Sequence, residues 1–333
     1  MCTAISFVHN HHYFGRNLDL NYDLPLSVVF VPQNYSFLFR KEETRKKHYA
    51  LYGRGRVKDD YPLFFDAVNE KGLTFAGLNF PGFAYFFPIK KDNKNLAPYE
   101  LPLYLLGKCS SVDEAKKELK NLSLCDLPFS KDRPVSPLHF YLSDKSGCIV
   151  IEQTKEGRKV YDNPFRVLTN NPPFPYHRFN RNNYRNVTAK EPVNRFSSRL
   201  PLSAYGKAMG AIGLPGDSSP SSRFVKASFL LENTIKYGQE GKKRSKQDEE
   251  KNVSLSFHLL NSVSTLKGES VRDDGSYEYT IYSSIYSVDE QKLFVKTYED
   301  SQIQCYSLQK ENLVGDKLLS YKISQKEHFA KIG

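Results

Sequence analysis

From residue 3 to residue 8 the hydrophobic and polar positions follow the alternation of a strand. The polar run His9-Asn10-His11-His12 then predicts a turn into a second strand through Tyr13-Phe14-Gly15-Arg16. A hairpin beginning at residue 2 ties the start of the chain into a sheet, where most termini fray. Apolar runs predict further strands over residues 27–31, 63–68 and 73–78, the last two joined by Asn69-Glu70-Lys71-Gly72 with glycine where the turn wants a positive φ. Residues 138–143 and 148–152 form another hairpin around Asp144-Lys145-Ser146-Gly147, and strands are expected near 277–282, 293–298 and 303–307. Successive hairpins imply antiparallel sheet.

Helices are announced at two places. Ser111-Val112-Asp113-Glu114 has the capping-box spacing, and a run opening at Ser222 spreads Phe224, Phe229 and Leu231 along a segment ending near Tyr237. Residues 238–251 are almost wholly charged or polar, which predicts an exposed loop before a helix over about 254–266. Strands frame helices at both ends of the chain, so the expected class is α+β, two sheets with helices outside them, in a single domain spanning 1–333.

Composition narrows the functions. Trp is absent while Tyr and Phe number 22 and 23, which favours a strand-rich core. The net charge of +11 admits an anionic partner. Its basic stretches, 40–47, 90–94 and 242–251, are mixed with acids in the manner of solvated faces, so nucleic acid is not an expected partner. Five cysteines without paired spacing argue against a disulfide framework and a zinc site alike. His9, His11 and His12 share a turn and the other histidines are isolated, so neither metal nor cofactor is expected. With no signal-like start and no spanning apolar stretch, the expectation is a soluble cytoplasmic protein.

Cys2 carries the most chemistry. Loss of Met1 would leave a thiol and a free α-amine on one residue, and an α-amine with an ordinary pKa near 7.7 to 8.0 can take the thiol proton at neutral pH. Alone, Cys2 reads as a small residue after the initiator. Arg16 and Asp19 lie one hairpin arm away, where the first can favour a thiolate and the second can orient the amine. Such a pair is otherwise a common surface ion pair of little energetic value.

Met1-Cys2-Thr3-Ala4-Ile5 with Phe14-Gly15-Arg16-Asn17-Leu18-Asp19 resembles the choloylglycine hydrolase family, in particular its bile salt hydrolases and more distantly penicillin V acylases. The resemblance continues through Asn69-Glu70-Lys71-Gly72-Leu73, Ala76-Gly77-Leu78-Asn79-Phe80-Pro81, Val167-Leu168-Thr169-Asn170-Asn171-Pro172, Gly213-Leu214-Pro215-Gly216-Asp217 and Ser222-Arg223-Phe224. It implies a four-layer αββα sandwich of the N-terminal-nucleophile type. It implies cleavage of glycine- or taurine-conjugated bile acids through a thioester, with amine acyl transfer as a side reaction. Cys2 would be the nucleophile, Arg16 and Asp19 would hold that end, Asn79 and Asn170 would stabilise the oxyanion, and Arg223 would complete the polar set.

For the steroid wall the candidates are Leu18, Phe64, Phe65, Phe129, Val135, Leu138 and Phe140, each equally readable as ordinary core. Lys207 is the candidate for the substrate's anionic tail, although a loop lysine is usually solvated. The Arg- and Asn-rich segment over 177–199, within a region of about 177–205, resembles the protruding segment by which related enzymes form homotetramers. Acylases acting on penicillin V or acyl-homoserine lactones share the mechanism, and a non-catalytic basic binding protein is the alternative from another class.

Overall fold

The computed structural model describes residues 1–22, 24–25, 27–91, 93–238, 247–329 and 332. Two antiparallel sheets lie face to face. In spatial order the first holds Val167–Leu168, Cys2–His9, His11–Leu20, Tyr279–Ser287, Lys292–Thr297 and Gln304–Ser307. The second holds Gly157–Asp162, Cys148–Thr154, Leu138–Ser143, Thr74–Asn79, Tyr61–Asn69, Leu51–Lys58, Ser27–Val31 and Leu319–Lys322. Helices Pro220–Gly238 and Gln247–Asn261 cover the outer face of the first sheet, and Leu101–Lys108 and Val112–Leu119 cover that of the second. The four layers are therefore helix, sheet, sheet, helix, the expected αββα order.

One apolar core joins the first sheet to its helices and to the inner face of the second, through residues such as Phe14, Leu260, Ile285 and Tyr141. The other lies between the second sheet and the Leu101–Lys108 helix, through Phe75, Leu103, Leu106 and Ile151. Strands buried on both faces need apolar residues throughout, which is why Ser27–Val31 reads as a continuous run.

The first hairpin is tighter than its polar run suggested. His9 pairs with His11, and Asn10 alone makes the turn at φ 62°. Asn69 shows why its turn is built as it is. Its side-chain oxygen accepts from the N–H groups of Lys71 and Leu73 at 3.1 and 3.0 Å, and its amide donates to the carbonyls of Leu106 and Cys109, both at 2.7 Å. One side chain thus closes a hairpin and satisfies carbonyls at the end of the Leu101–Lys108 helix. Ser111 caps the next helix by accepting from the Glu114 N–H at 3.3 Å, while the Glu114 carboxylate reaches Ser110 rather than Ser111.

The loop expected over 238–251 is corrected in part. Residues 239–246 lie outside the described residues, but helix begins at Gln247 and ends at Asn261, about two turns earlier than expected at its start and about one and a half at its end. Acidic Asp248, Glu249 and Glu250 occupy its first turn, where the helix dipole favours them, and Glu249 also pairs with Lys292 at 2.5 Å. Polarity there marks a helix start. Leu51–Lys58 was missed because two glycines interrupt it. Cβ atoms at Gly53 and Gly55 would fall within 2.2 and 2.4 Å of backbone oxygens on the neighbouring strand, so close strand approach requires glycine at both.

Candidate active site

Strand alternation divides the first hairpin into two teams. Cys2 pairs with Leu18 and Ala4 with Arg16, so these four point to one side; Thr3 pairs with Asn17, and with Asp19 they point to the other. Arg16 reaches the second sheet, where its guanidinium donates to the carbonyls of Phe65 and, at 2.7 Å, Gly77. Asn17 on the opposite face donates to Leu260 of the covering helix at 2.8 Å. The Cys2 thiol therefore lies between the sheets, while Arg223, one of the two side chains that hold its backbone, comes from the helical side.

The Cys2 sulfur is buried and accepts from Arg16 Nη2 at 3.3 Å. Burial works against its thiolate, but the Arg16 guanidinium and the terminal ammonium outweigh burial and the opposing Asp19, so the thiol is held below its ordinary value. Behind Arg16 stands Asp66, wholly buried, with Oδ2 3.7 Å from Arg16 Nη1. Asp66 accepts from Tyr282 and Tyr286 hydroxyls, each at 2.5 Å, and from Ser284 at 3.1 Å. Arg54, also buried, lies over the Tyr282 ring at 4.4 Å. The buried charges gathered here are Arg16, Arg54 and Arg223 against Asp19 and Asp66, one positive in excess. A Cys2 thiolate brings that set to neutrality, and uncompensated buried charge is costly.

Asn170 holds the Cys2 backbone. Its side-chain oxygen accepts from the Cys2 nitrogen at 2.6 Å and from Arg223 at 2.9 Å, and its amide donates to the Asn79 carbonyl at 2.8 Å. Arg223, from the helix on the outer face, also donates to the Cys2 carbonyl at 2.5 Å and to the Thr3 hydroxyl at 2.7 Å. The loop presenting Asn170 is anchored by two histidines. His139 contacts the Thr169 carbonyl and Glu152 at 2.9 and 3.2 Å, and His177 contacts the Asn170 carbonyl at 2.9 Å. Asp19 accepts from Thr280 at 2.7 Å through one oxygen; the other is buried with no hydrogen-bond partner among the described residues. Met1 precedes Cys2 here, its amine donating to the Asp19 carbonyl at 3.2 Å and pairing with Glu278.

Of the wall candidates, Phe64, Phe65, Phe129, Val135, Leu138 and Phe140 line one cavity of about 160 Å³ together with Gly77. Phe65 and Gly77 are the residues whose carbonyls hold Arg16, so this cavity and the thiol share a wall. Leu18 is elsewhere, buried beside Cys2 between the sheets. Lys207 is not in the cavity; its side chain is 94% exposed and lies 3.8 Å from Glu191. Asp66, Thr280, Tyr282 and Tyr286 join the site beyond the residues expected from the sequence. Asp66 had a visible signal: a carboxylate inside the apolar strand Leu63-Phe64-Phe65-Asp66-Ala67-Val68 must be paired if that strand is buried.

A strand-borne cysteine at the second position, buried between two sheets that are sandwiched by helices, defines an N-terminal-nucleophile hydrolase fold. The fold is shared with penicillin V acylase from Agrobacterium tumefaciens, whose structure superposes with a TM-score of 0.74 at 17% identity, covering 96% of this chain and 90% of the other. A family profile described as linear amide C–N hydrolases, choloylglycine hydrolase family, matches residues 2–322. The chain belongs to that family. It is 45% identical over 331 residues to the bile salt hydrolase/transferase of Lactiplantibacillus plantarum, covering 99% of each chain. It is 36% identical over 334 residues to the bile salt hydrolase/transferase of Clostridium perfringens, covering 98% of each. The structure of a mutant of the conjugated bile acid hydrolase of Clostridium perfringens superposes over the full length of both chains with a TM-score of 0.91 at 34% identity.

Proposed function

We propose that this enzyme cleaves the amide bond of glycine- or taurine-conjugated bile salts, with Cys2 as nucleophile once Met1 has been removed. The observation that carries this reading is the buried sulfur beside Arg16, whose other contacts form the wall of an apolar cavity. Such an apolar lining suits part of an amphiphile's apolar body, with its amide directed toward the sulfur.

Removal of Met1 turns the Cys2 nitrogen, already fixed by Asn170, into a free amine, and Asp19, whose second carboxylate oxygen has no partner among the described residues, is assigned to orient it. That amine accepts the thiol proton, and the sulfur attacks the amide carbonyl carbon. Asn79 and Asn170 are the amide donors at the developing oxyanion, a role worth about 3 kcal/mol per donor elsewhere. Collapse breaks the C–N bond, the ammonium returns its proton to the departing glycine or taurine nitrogen, and a thioester remains. Water, losing a proton to the same amine, attacks the thioester and restores the thiol. Another amine reaching the thioester gives acyl transfer in place of hydrolysis.

The free state of the described cysteines suits a reducing cytoplasm, and no helix among the described residues is long and apolar enough to cross a membrane. We assign homotetramer formation to the arm between Tyr184 and Met209, which forms neither helix nor strand and exposes Phe196 and Tyr205 at 84% and 90%.

The deciding experiment is mass-spectrometric detection of free cholate from glycocholate and taurocholate, with intact mass confirming loss of Met1. Release abolished by Cys2→Ser is the expected result. Release from penicillin V alone, or release that survives the substitution, overturns the reading.

A further inference from the structure

The apolar cavity is not apolar throughout. Arg56 and Arg133 also line it, among Leu63, Phe129 and Pro134. Arg56 lies on the strand Leu51–Lys58 and Arg133 in the loop leading to Leu138–Ser143. Both are partly buried, and among the described residues no carboxylate lies within ion-pair distance of either. Burial, followed by the like charge of Arg133, pulls the Arg56 pKa below its ordinary value, a state that a bound anion would relieve.

Their position within the cavity follows from strand register. Arg56 pairs with Leu63, whereas the end against Cys2 is marked by Phe65, two residues further along the same strand. At the usual rise this separates Arg56 from the thiol end by about 7 Å along the strand. Arg56, with Arg133 near enough for its charge to act on it, therefore lies toward the part of a bound molecule remote from its scissile amide. Apolar walls alone would suit a neutral body, and a neutral body gives two unpaired guanidiniums no reason to be there. A planar guanidinium pairs best with an oxyanion that accepts two parallel hydrogen bonds.

We propose that Arg56 and Arg133 form an oxyanion-recognising subsite at the distal end of the cavity. It selects amphiphilic amides whose apolar body carries a second anionic group, a sulfate ester in particular, opposite the amide. The inference rests on the substrate reading above and deepens it. No bond is made or broken at this subsite; it contributes to selection only.

The test compares glycocholate with its ring-sulfated ester, using processed wild type and the variants Arg56→Gln, Arg133→Gln and the double substitution. For the double variant the ratio of kcat/KM on the sulfated substrate to that on unsulfated glycocholate is expected to fall roughly ten-fold or more. The wild-type preference for the ester is also expected to weaken as salt is raised. Equal losses on both substrates, which would mean that the pair meets the glycine carboxylate or only supports the fold, overturn the subsite; so does no loss on either. Calorimetric binding of cholate and ring-sulfated cholate to the Cys2→Ala variant reads the subsite without turnover. Tighter binding of the sulfate, lost in the Arg56→Gln/Arg133→Gln background, upholds it, and equal affinities sink it. Failure of wild type to cleave glycocholate would count against the substrate reading, and the binding arm would still decide the subsite.

Discussion

At the scale of the residue, this site is governed by what Arg16 does with its two ends. One nitrogen meets the Cys2 sulfur and the other faces Asp66, with carbonyls of the second sheet fixing the plane between them. The thiol is low because this charge is held still beside it against the cost of burial. Arg16→Gln removes both the charge and the hydrogen bond and leaves burial unopposed except by the terminal amine. The Cys2 thiol is then expected to rise above its ordinary value, and alkylation by iodoacetamide at pH 7 to slow by about ten-fold or more. A pH profile of alkylation unchanged from wild type would show that Arg16 does not set the thiolate.

At the scale of the element, the first hairpin is the device that assembles the chemistry. Two strands in antiparallel register bring residues 12 to 16 positions apart into contact, Ala4 with Arg16, Thr3 with Asn17 and Cys2 with Leu18, and alternation sends Cys2 and Arg16 inward and Thr3, Asn17 and Asp19 outward. A shift of one residue would reverse every one of those directions. The arm between Tyr184 and Met209 works differently. It has no sheet to lean on, is pinned at its base by Thr188 donating to the Gly210 carbonyl at 2.9 Å, and holds its apolar side chains in solvent. Such exposure suits contact with a second copy of the chain. Phe196→Asp combined with Tyr205→Asp is expected to shift the particle from tetramer towards monomer in light scattering, with the fold by circular dichroism unchanged. A monomeric wild type would remove the arm's assigned role.

At the scale of the whole molecule, stacking the layers buries histidines in neutral form, His12 between the two sheets beside Ser143 and His177 against Phe224 of the covering helix. Burial pushes His12 down to about 3 and His177 to about 4, from an ordinary value of 6.5. Depressed folded-state values mean that the unfolded chain binds more protons below pH 6.5, so stability present above that pH is lost as pH falls toward 4 and then 3. Each group contributes up to about 1.4 kcal/mol per pH unit in that window. The melting temperature is expected to fall steadily between pH 6.5 and 4.5 and to fall less steeply in His177→Gln. A flat profile in wild type would contradict the assignment. Since His177 also holds the loop that presents Asn170, thermal loss and loss of activity are expected to run together in acid.

The sequence alone determined what depends on local order. The paired first strands, the Asn69 turn with its positive-φ Gly72 and the Ser111 cap are all written in side chains within a few residues of one another, and Cys2 with Arg16 and Asp19 falls within one hairpin. Family resemblance carried the reading further, to Asn79, Asn170 and Arg223, because their neighbours form recognisable fragments. Tertiary structure decided the rest. Asp66 meets Tyr282 across 216 positions, and Arg223 meets Cys2 across 221; no local pattern encodes such partners. It also decided that Leu18 packs between sheets while six aromatic and aliphatic candidates share a cavity, and that Lys207 stands in solvent while Arg56 and Arg133 do not. Periodicity tells which side of a strand a residue occupies, but only the stacking of sheets tells what waits on that side.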